Sequence, residues 1–370
     1  MSSTDLSSLK NDSVHLSKAN GAVLTYGSPT VPSPGEGEIL VKNIAVASNP
    51  KDWKLSLWGL FEGIEGNDIT GTVVSVGSDV TEFREGDKVG SFTRMATGDQ
   101  YGAYQRYTVT PAATSWKLGN VKYEEAATLP LAVLTAVLGL FDKARLGLEE
   151  PSASGKPQGD HSKEIILIWG ASSSVGSFAL QLAKLAGYSV IAIAGRSGSL
   201  AKKLGADVII DYTGKSDAQL KEDILSAEKS FGEGRQIVAA YDAVTTETTT
   251  SVLVETLGSS PALPGGRDKR ITTILPSKLE GTHSSSGPST VHLVRTNVGD
   301  SHNGSEEQKK LTSRWIRQLG AWLEEGIFKP NVVKVIPGGL AGVKEGLQLL
   351  QEGKVSGEKL VYRIDDTPAQ

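Results

Sequence analysis

The chain contains no cysteine, which excludes disulfides, thiol nucleophiles and zinc sites built on thiolates. Histidine is scarce too. His15, His161, His283, His292 and His302 are the five present, with no close pair at metal-ligand spacing, so no metal centre is expected. Neither sign of charge dominates: 38 Lys and Arg stand against 42 Asp and Glu, a net of −4. That balance gives no electrostatic case for nucleic acid or for an anionic membrane. No apolar run approaches the length that spans a bilayer. The first twenty residues, MSSTDLSSLKNDSVHLSKAN, lack the apolar core of a signal peptide and read as a loose polar tail. These absences together point to a cytoplasmic protein.

What is present is organised around residues 163–187, KEIILIWGASSSVGSFALQLAKLAG. Ile165 to Trp169 form an unbroken apolar run, the mark of a strand buried on both faces of a parallel sheet. Gly170 opens a turn occupied by Ser172, Ser173 and Ser174. From Val175 the period changes, and Val175, Phe178, Ala179, Leu182, Ala183 and Ala186 share one face of a helix. Gly187 stops that helix, and Tyr188 to Ala194 read as a second strand. In such a βαβ unit the turn lies at a helix N-terminus, where free N–H groups and the dipole favour a pyrophosphate. The middle glycine of the G-x-G-x-x-G pattern is missing, and small residues in the turn would also serve simply to pack helix on strand. The setting between strand and helix nevertheless predicts a dinucleotide site at Gly170, Ser172, Ser173, Ser174 and Val175.

Coenzyme choice is read about 20 residues further on, where an NAD site carries an acid for the ribose hydroxyls. Here the chain has Gly195, Arg196 and Ser197, with no acid. A guanidinium attracts a 2′-phosphate and can bind it bidentately, whereas a carboxylate repels it. The expected cofactor is therefore NADPH, although a solvated arginine on a loop is the plainer alternative. Tyr212, after a third strand at Asp207–Asp211, would close the other side of the adenosine pocket. Later strands are expected at Gln236–Val244, Arg270–Leu275 and Val291–Asn297, and Val244 and Leu275 are counted with the cofactor residues.

Before this region the pattern is β. Gly37–Ser48 alternates as a strand, Asn49 to Lys54 turns the chain, and short glycine-punctuated runs follow to Val109, with no helix expected until Tyr123. Tyr123–Leu140 reads as helical, with Pro130 at the first turn of its second half. Residues 146–162 read as a linker, and residues 282–290 and 299–306 as polar loops. Glu307–Glu325 and Leu340–Gln351 read as helices, and Lys359–Ile364 as a closing strand. The expected fold class is α/β, with a β-rich unit at 1–140 completed by 305–370 and a nucleotide unit at 141–304.

This order resembles the medium-chain dehydrogenase/reductase superfamily from about Ala22 to Ile364. The most specific stretch is Gly71, Val73, Val76, Gly77, Val80, Phe83, Gly86, Asp87 and Val89, which in that family folds as a partly open, GroES-like barrel beside a Rossmann domain. Asn49-Pro50-Lys51-Asp52 is similar to the marker of its zinc-independent quinone and enoyl reductases. Asn67 stands where the zinc branch would place a histidine. Within the branch, the chain resembles fungal enoyl reductases that act in trans beside lovastatin-type polyketide synthases. The motifs are Asn49-Pro50-x-Asp52-x-Lys54, Leu129-Pro130 followed by Thr135, and Ser356-Gly357-Glu358-Lys359-Leu360-Val361. Lys51 departs from that pattern, where a smaller polar residue is expected. The resemblance implies that Lys54 and Thr135 lie by the nicotinamide.

Without zinc, hydride addition to the β-carbon of an α,β-unsaturated carbonyl is more accessible than reduction of an aldehyde. The charge spreads into an enolate that a few positioned donors can hold. Lys54, Thr135 and Asn49 are the candidate donors. The α-carbon proton would come from Lys54, a tyrosine or water. Trp58, Phe61 and Ile64 would edge a cleft for an acyl chain or quinone, or serve as core. The expected function is an NADPH-dependent ene or quinone reductase acting on a small conjugated carbonyl or quinone. The alternatives are a trans-acting enoyl reductase whose substrate is tethered to an acyl carrier, and a non-catalytic NADPH-binding protein.

Overall fold

The computed structural model describes residues 8–284 and 287–370 and divides the chain into two compact units, residues 1–131 with 301–370 and residues 132–300. The first seven residues of the expected tail, and Ser285 and Ser286 of the expected loop, lie outside the described residues.

The first unit begins with β1 (Ser13–Ser17), β2 (Gly21–Thr25) and β3 (Glu38–Ala47). Helix α1 (Pro50–Leu57) follows, then β4 (Gly63–Ile64), β5 (Asp68–Val76), β6 (Lys88–Phe92), β7 (Tyr107–Pro111) and β8 (Ser115–Lys117). Two expectations are corrected here. The polar opening is not all loose tail, because Ser13–Ser17 pairs with β2 and buries Val14 and Leu16, a period-two signal hidden in a polar stretch. The segment after Asn49 is not a turn but a two-turn helix. Asn49 is its N-cap, Pro50 stands at the first position, and the Asp52 carboxylate accepts the Asn49 N–H at 2.8 Å. N-P-x-D is thus a helix-start signal: proline is tolerated at N1, and an acid at N3 satisfies an orphan donor. Helices α2 (Tyr123–Ala127) and α3 (Pro130–Phe141) take the stretch expected to be helical. They break at Thr128–Leu129, since proline disfavours α geometry in the residue before it.

The second unit holds β9 (Glu164–Trp169), α4 (Ser174–Leu185), β10 (Ser189–Ala194), α5 (Gly198–Lys203) and β11 (Val208–Asp211). It continues with α6 (Asp217–Ser230), β12 (Gln236–Asp242), α7 (Glu247–Ser259), β13 (Lys269–Thr273), β14 (Gly281–Ser284) and β15 (Thr290–Arg295). The sheet runs β11-β10-β9-β12-β13-β15-β14, parallel except for its last strand. Strand β9 therefore has β10 on one side and β12 on the other, and the order reverses there. Ligands bind outside the carboxyl ends of strands at such a switch point. Strand β14 corrects the reading of 282–290 as loop: its sequence, Gly-Thr-His-Ser, is polar because it is an antiparallel edge.

The chain then returns through α8 (Asp300–Asn303), α9 (Glu306–Glu324), β16 (Val333–Val335), α10 (Val343–Gln351) and β17 (Lys359–Arg363). Trp315, Leu319 and Trp322 form the buried stripe of α9, and the two indoles meet edge to face at 5.3 Å. Strand β17 completes the first unit's main sheet by pairing with β3, in the order β16-β17-β3-β5-β6-β8. No helix among the described residues is long and apolar enough to cross a membrane.

Candidate functional site

The nucleotide-type turn follows β9 as its apolar run implies. Gly170 has φ +72°, and a Cβ there would stand 2.6 Å from a γ-carbon of Val244. The position therefore needs glycine both for its left-handed backbone and for space. Ser173 caps α4 by accepting the Gly176 N–H at 3.1 Å. Gly176 is equally constrained, since a Cβ would lie 2.1 Å from the Gly170 carbonyl oxygen. Turn and helix start are thus pressed together, while Ser172, Ser173, Ser174 and Val175 keep part of their surface open. This cradle, with a helix N-terminus behind it, fits a dinucleotide pyrophosphate.

The residues expected around an adenosine are similarly close-packed. A Cβ on Gly195 would stand 2.9 Å from the Tyr212 ring, so these two candidates are in contact. Tyr212 is 44% exposed, Arg196 is exposed, and Ser197 begins α5 as its N-cap. Leu275 is half-buried, in the loop after β13.

The sequence reading missed Asp242, the last residue of β12. It is fully buried and accepts the N–H groups of Val244 and Thr245, at 3.0 and 2.9 Å, and the Thr249 hydroxyl at 2.6 Å. Burial raises its pKa against those hydrogen bonds. Thr245 has φ +60°, unusual for a β-branched residue, and its hydroxyl accepts the Ile274 N–H at 3.1 Å. Asp242 thereby pins the loop that carries Val244. An acid ending a buried apolar strand was the available signal.

In the first unit, Lys54 lies on α1 rather than on a loop. It is half-buried, and its ammonium stands 5.6 Å from the centroid of the Trp53 ring and 5.9 Å from that of Trp58. Burial lowers its pKa below the usual lysine value of 10.5, so the proton is held less tightly than in water. Trp58, at the C-cap of α1, is 51% exposed. Phe61 packs its ring over Gly63. Ile64 is core, 1% exposed and part of β4, and belongs to no cleft wall.

Asn49 is corrected as a candidate donor to substrate. It is 3% exposed; its amide nitrogen donates to Asp68 at 2.8 Å and its amide oxygen accepts the Lys359 ammonium at 2.5 Å. Its polar atoms serve the interior. Lys51, the unexpected residue, lies 2.9 Å from Asp52 and donates to Glu65 at 2.6 Å. Burial alone would lower its pKa, but the carboxylates of Asp52 and Glu65 outweigh this and raise it. Burial raises the Glu65 carboxyl, against the opposing charge of Lys51. Tyr104 donates to Asp52 at 2.6 Å, and burial first, then the Asp52 charge, pushes its hydroxyl pKa well up. A tyrosine so placed does not give up a proton near neutral pH.

Thr135 is 5% exposed within α3, and its carbonyl accepts the Tyr241 hydroxyl at 2.9 Å. One turn on, a Cβ at Gly139 would strike the Tyr241 ring at 2.3 Å, so a glycine lets that ring seat against the helix. Burial pushes Tyr241 up as well. Asn67 points its amide nitrogen at the Thr93 carbonyl and hydroxyl and the Arg94 carbonyl, at 3.2, 2.9 and 3.0 Å. Among the described residues, no three His, Asp or Glu side chains are grouped to hold a metal ion.

Comparison with known proteins places these features in a family. Residues 35–120 match the alcohol dehydrogenase GroES-like domain, and residues 174–260 match the zinc-binding dehydrogenase family. The chain is 40% identical to dehydrogenase pigH of Monascus ruber over 211 residues, which cover 54% of this chain and 56% of that protein. It is 30% identical, over 93% of both chains, to lovC, the enoyl reductase component of lovastatin nonaketide synthase in Aspergillus terreus. Among solved structures, the quinone oxidoreductase of Pseudomonas syringae pv. Tomato DC3000 aligns with TM-score 0.68 at 23% identity. That alignment covers 95% of this chain and 99% of the other.

Proposed function

The chain belongs to the medium-chain dehydrogenase/reductase superfamily, as an oxidoreductase related to the trans-enoyl reductases, and on that premise we propose that it transfers hydride from NADPH to the β-carbon of an α,β-unsaturated carbonyl. The observation that carries the reading is Lys54, a half-buried ammonium flanked by two indoles, with its pKa lowered by burial. NADPH supplies the hydride when bound. Gly170 to Val175 would hold its pyrophosphate, Gly195 and Tyr212 would enclose the adenosine, and Arg196 would take the 2′-phosphate. As hydride reaches the β-carbon, negative charge moves to the carbonyl oxygen. A preorganised cation, worth more in a partly dry site than in water, stabilises that charge. Lys54 then gives its proton to the α-carbon and is reprotonated from solvent, and its lowered pKa suits it to that task. Thr135 is assigned to the site wall, and Trp58 and Phe61 to the acyl side.

A tethered substrate is the second reading. It is favoured by relatives that are themselves named trans-enoyl reductases, such as fsr4 of Gibberella fujikuroi, 32% identical over 87% of that protein. The deciding experiment follows NADPH and NADH oxidation with enals, enones, quinones, enoyl-pantetheine thioesters and carrier-loaded enoyl thioesters. Turnover of conjugated carbonyls with NADPH supports the proposal, and a carrier-loaded optimum supports the second reading. No turnover of any conjugated carbonyl or quinone would leave only coenzyme binding.

A further inference from the structure

Lys359 opens β17 and is 3% exposed, yet it ends in a charge. Its ammonium donates to the Asn49 amide oxygen at 2.5 Å and lies 2.9 Å from one oxygen of Asp68, itself fully buried. The Asn49 amide nitrogen donates to that same Asp68 oxygen at 2.8 Å, closing a three-membered ring of contacts. The other Asp68 oxygen accepts the Leu131 N–H at 2.6 Å, in the first turn of α3. Four elements that are distant in sequence meet at one buried ion pair.

A buried ion pair is weak evidence for stability, because apolar residues of similar volume often do as well or better. What this cluster holds is more telling. Asn49 is the N-cap of α1, the helix that presents Lys54 little more than one turn later. The α1 backbone has its own anchor in Asp52, so losing Lys359 need not unwind the helix. It would release the amide that fixes where the helix begins.

We propose that Lys359 is a positioning residue for the reduction, an internal cation that locks Asn49 and Asp68 and thereby sets the placement of Lys54. This rests on the reading of Lys54 as the group that meets substrate charge. With the ammonium gone, Asn49 loses the donor to its oxygen and Asp68 becomes an uncompensated carboxylate. Helix α1 then starts from a loose cap.

The test is a cycle of Lys359→Met and Lys54→Met, with the enone or enoyl thioester turned over fastest. Because Lys359→Met alone leaves Asp68 charged and unpaired, Lys359→Met/Asp68→Asn is carried in parallel, removing both charges together. The expected result is a kcat loss of about 10- to 100-fold, the size of effect that a small misplacement produces. NADPH affinity should stay within about threefold, since the residues Lys359 holds, Asn49 and Asp68, are not among those assigned to the coenzyme. In the Lys54→Met background the same Lys359 substitutions should lower kcat by less than about twofold, because the group they position is already gone. A purely structural role would give equal losses in both backgrounds, and that overturns the proposal; so does wild-type kcat in the charge-free double variant, or loss of NADPH binding in both Lys359 variants. If Lys54→Met itself leaves kcat unchanged, the reading of Lys54 falls and this inference falls with it.

Discussion

Replacing Lys54 by methionine removes a charge and little else. The stem can stay between Trp53 and Trp58, and what is lost from the folded state is the attraction of the ammonium to the two rings, 5.6 and 5.9 Å away. Such contacts are worth about 0.5–1 kcal/mol at partly exposed sites, so folding stability should change by about 1 kcal/mol. The effect on the reaction should be larger. Removing one preorganised donor to a developing oxyanion lowers kcat by about 10²–10³-fold. Because Lys54 keeps partial contact with solvent, about 10²-fold is expected. Steady-state NADPH oxidation with the best conjugated substrate measures kcat, and quenching of protein fluorescence measures NADPH affinity, which should not move. A pH profile adds an independent check. The active form is protonated Lys54, so the wild-type rate should fall as pH rises through the folded-state pKa, which lies below 10.5. In Lys54→Met that alkaline limb should be absent. A kcat within about threefold of wild type, or an unchanged alkaline limb in the variant, refutes the assignment.

Arg196→Ala should weaken NADPH about tenfold or more and leave NADH almost unaffected, since an Arg–phosphate contact is lost only with the former; titration with both coenzymes checks this. Gly176→Ala should weaken NADPH binding by at least about tenfold and destabilise by about 1–3 kcal/mol, because the added carbon meets a backbone oxygen at 2.1 Å. Gly198→Ala on α5, where the nearest atom is 3.6 Å away, should be neutral or stabilising by about 0.5–1 kcal/mol, and thermal melts separate the two. His302 stacks on Phe92 at 5.0 Å and has its pKa held at about 4, by burial first and then by the Arg94 charge. The unfolded imidazole takes a proton near 6.5 and the folded one only near 4, so the neutral ring's stabilisation is complete above 6.5 and lost as pH falls through that window. The full gap corresponds to about 3 kcal/mol, and to about 2 for a residue that is only partly buried. Urea midpoints at neutral and acid pH should show that loss in wild type and a smaller one in His302→Gln.

The sequence was most legible where local chemistry and tertiary role agree. The Ile165–Trp169 run, the serine turn and the helical period after it are each determined by neighbours in the chain, and β9, the turn and α4 follow them closely. Helix α1 was hidden because eight residues carry too few periods to declare a face, and its opening Asn-Pro also reads as a turn. Strands β1 and β14 were hidden for the opposite reason. Both are short strands in polar sequence, β1 between β2 and β4 and β14 at a sheet edge, and only pairing with partner strands makes them strands. Asn49 shows the deepest limit. Its type and motif point to the site, but its amide is consumed by Lys359 and Asp68, residues 310 and 19 positions away in the chain. No local pattern reports such a consumption.

Strand β17 also bears on how the protein is made. It pairs Val361 with Ala47 and supplies Lys359 to a cluster built otherwise from residues 49, 68 and 131. During synthesis, β3 emerges early and gains β5 and β7 soon after, but its residues 45–47 must wait some three hundred residues for the strand that pairs with them on their other side. Residues 132–300 form a continuous unit that can close first as they leave the ribosome. Until then the nascent chain carries an open sheet edge and an unpaired buried aspartate, the combination that invites association with other chains. A ribosome stall before residue 359 should therefore leave the second unit protease-resistant and the first unit cleavable, with both protected once translation passes the last strand.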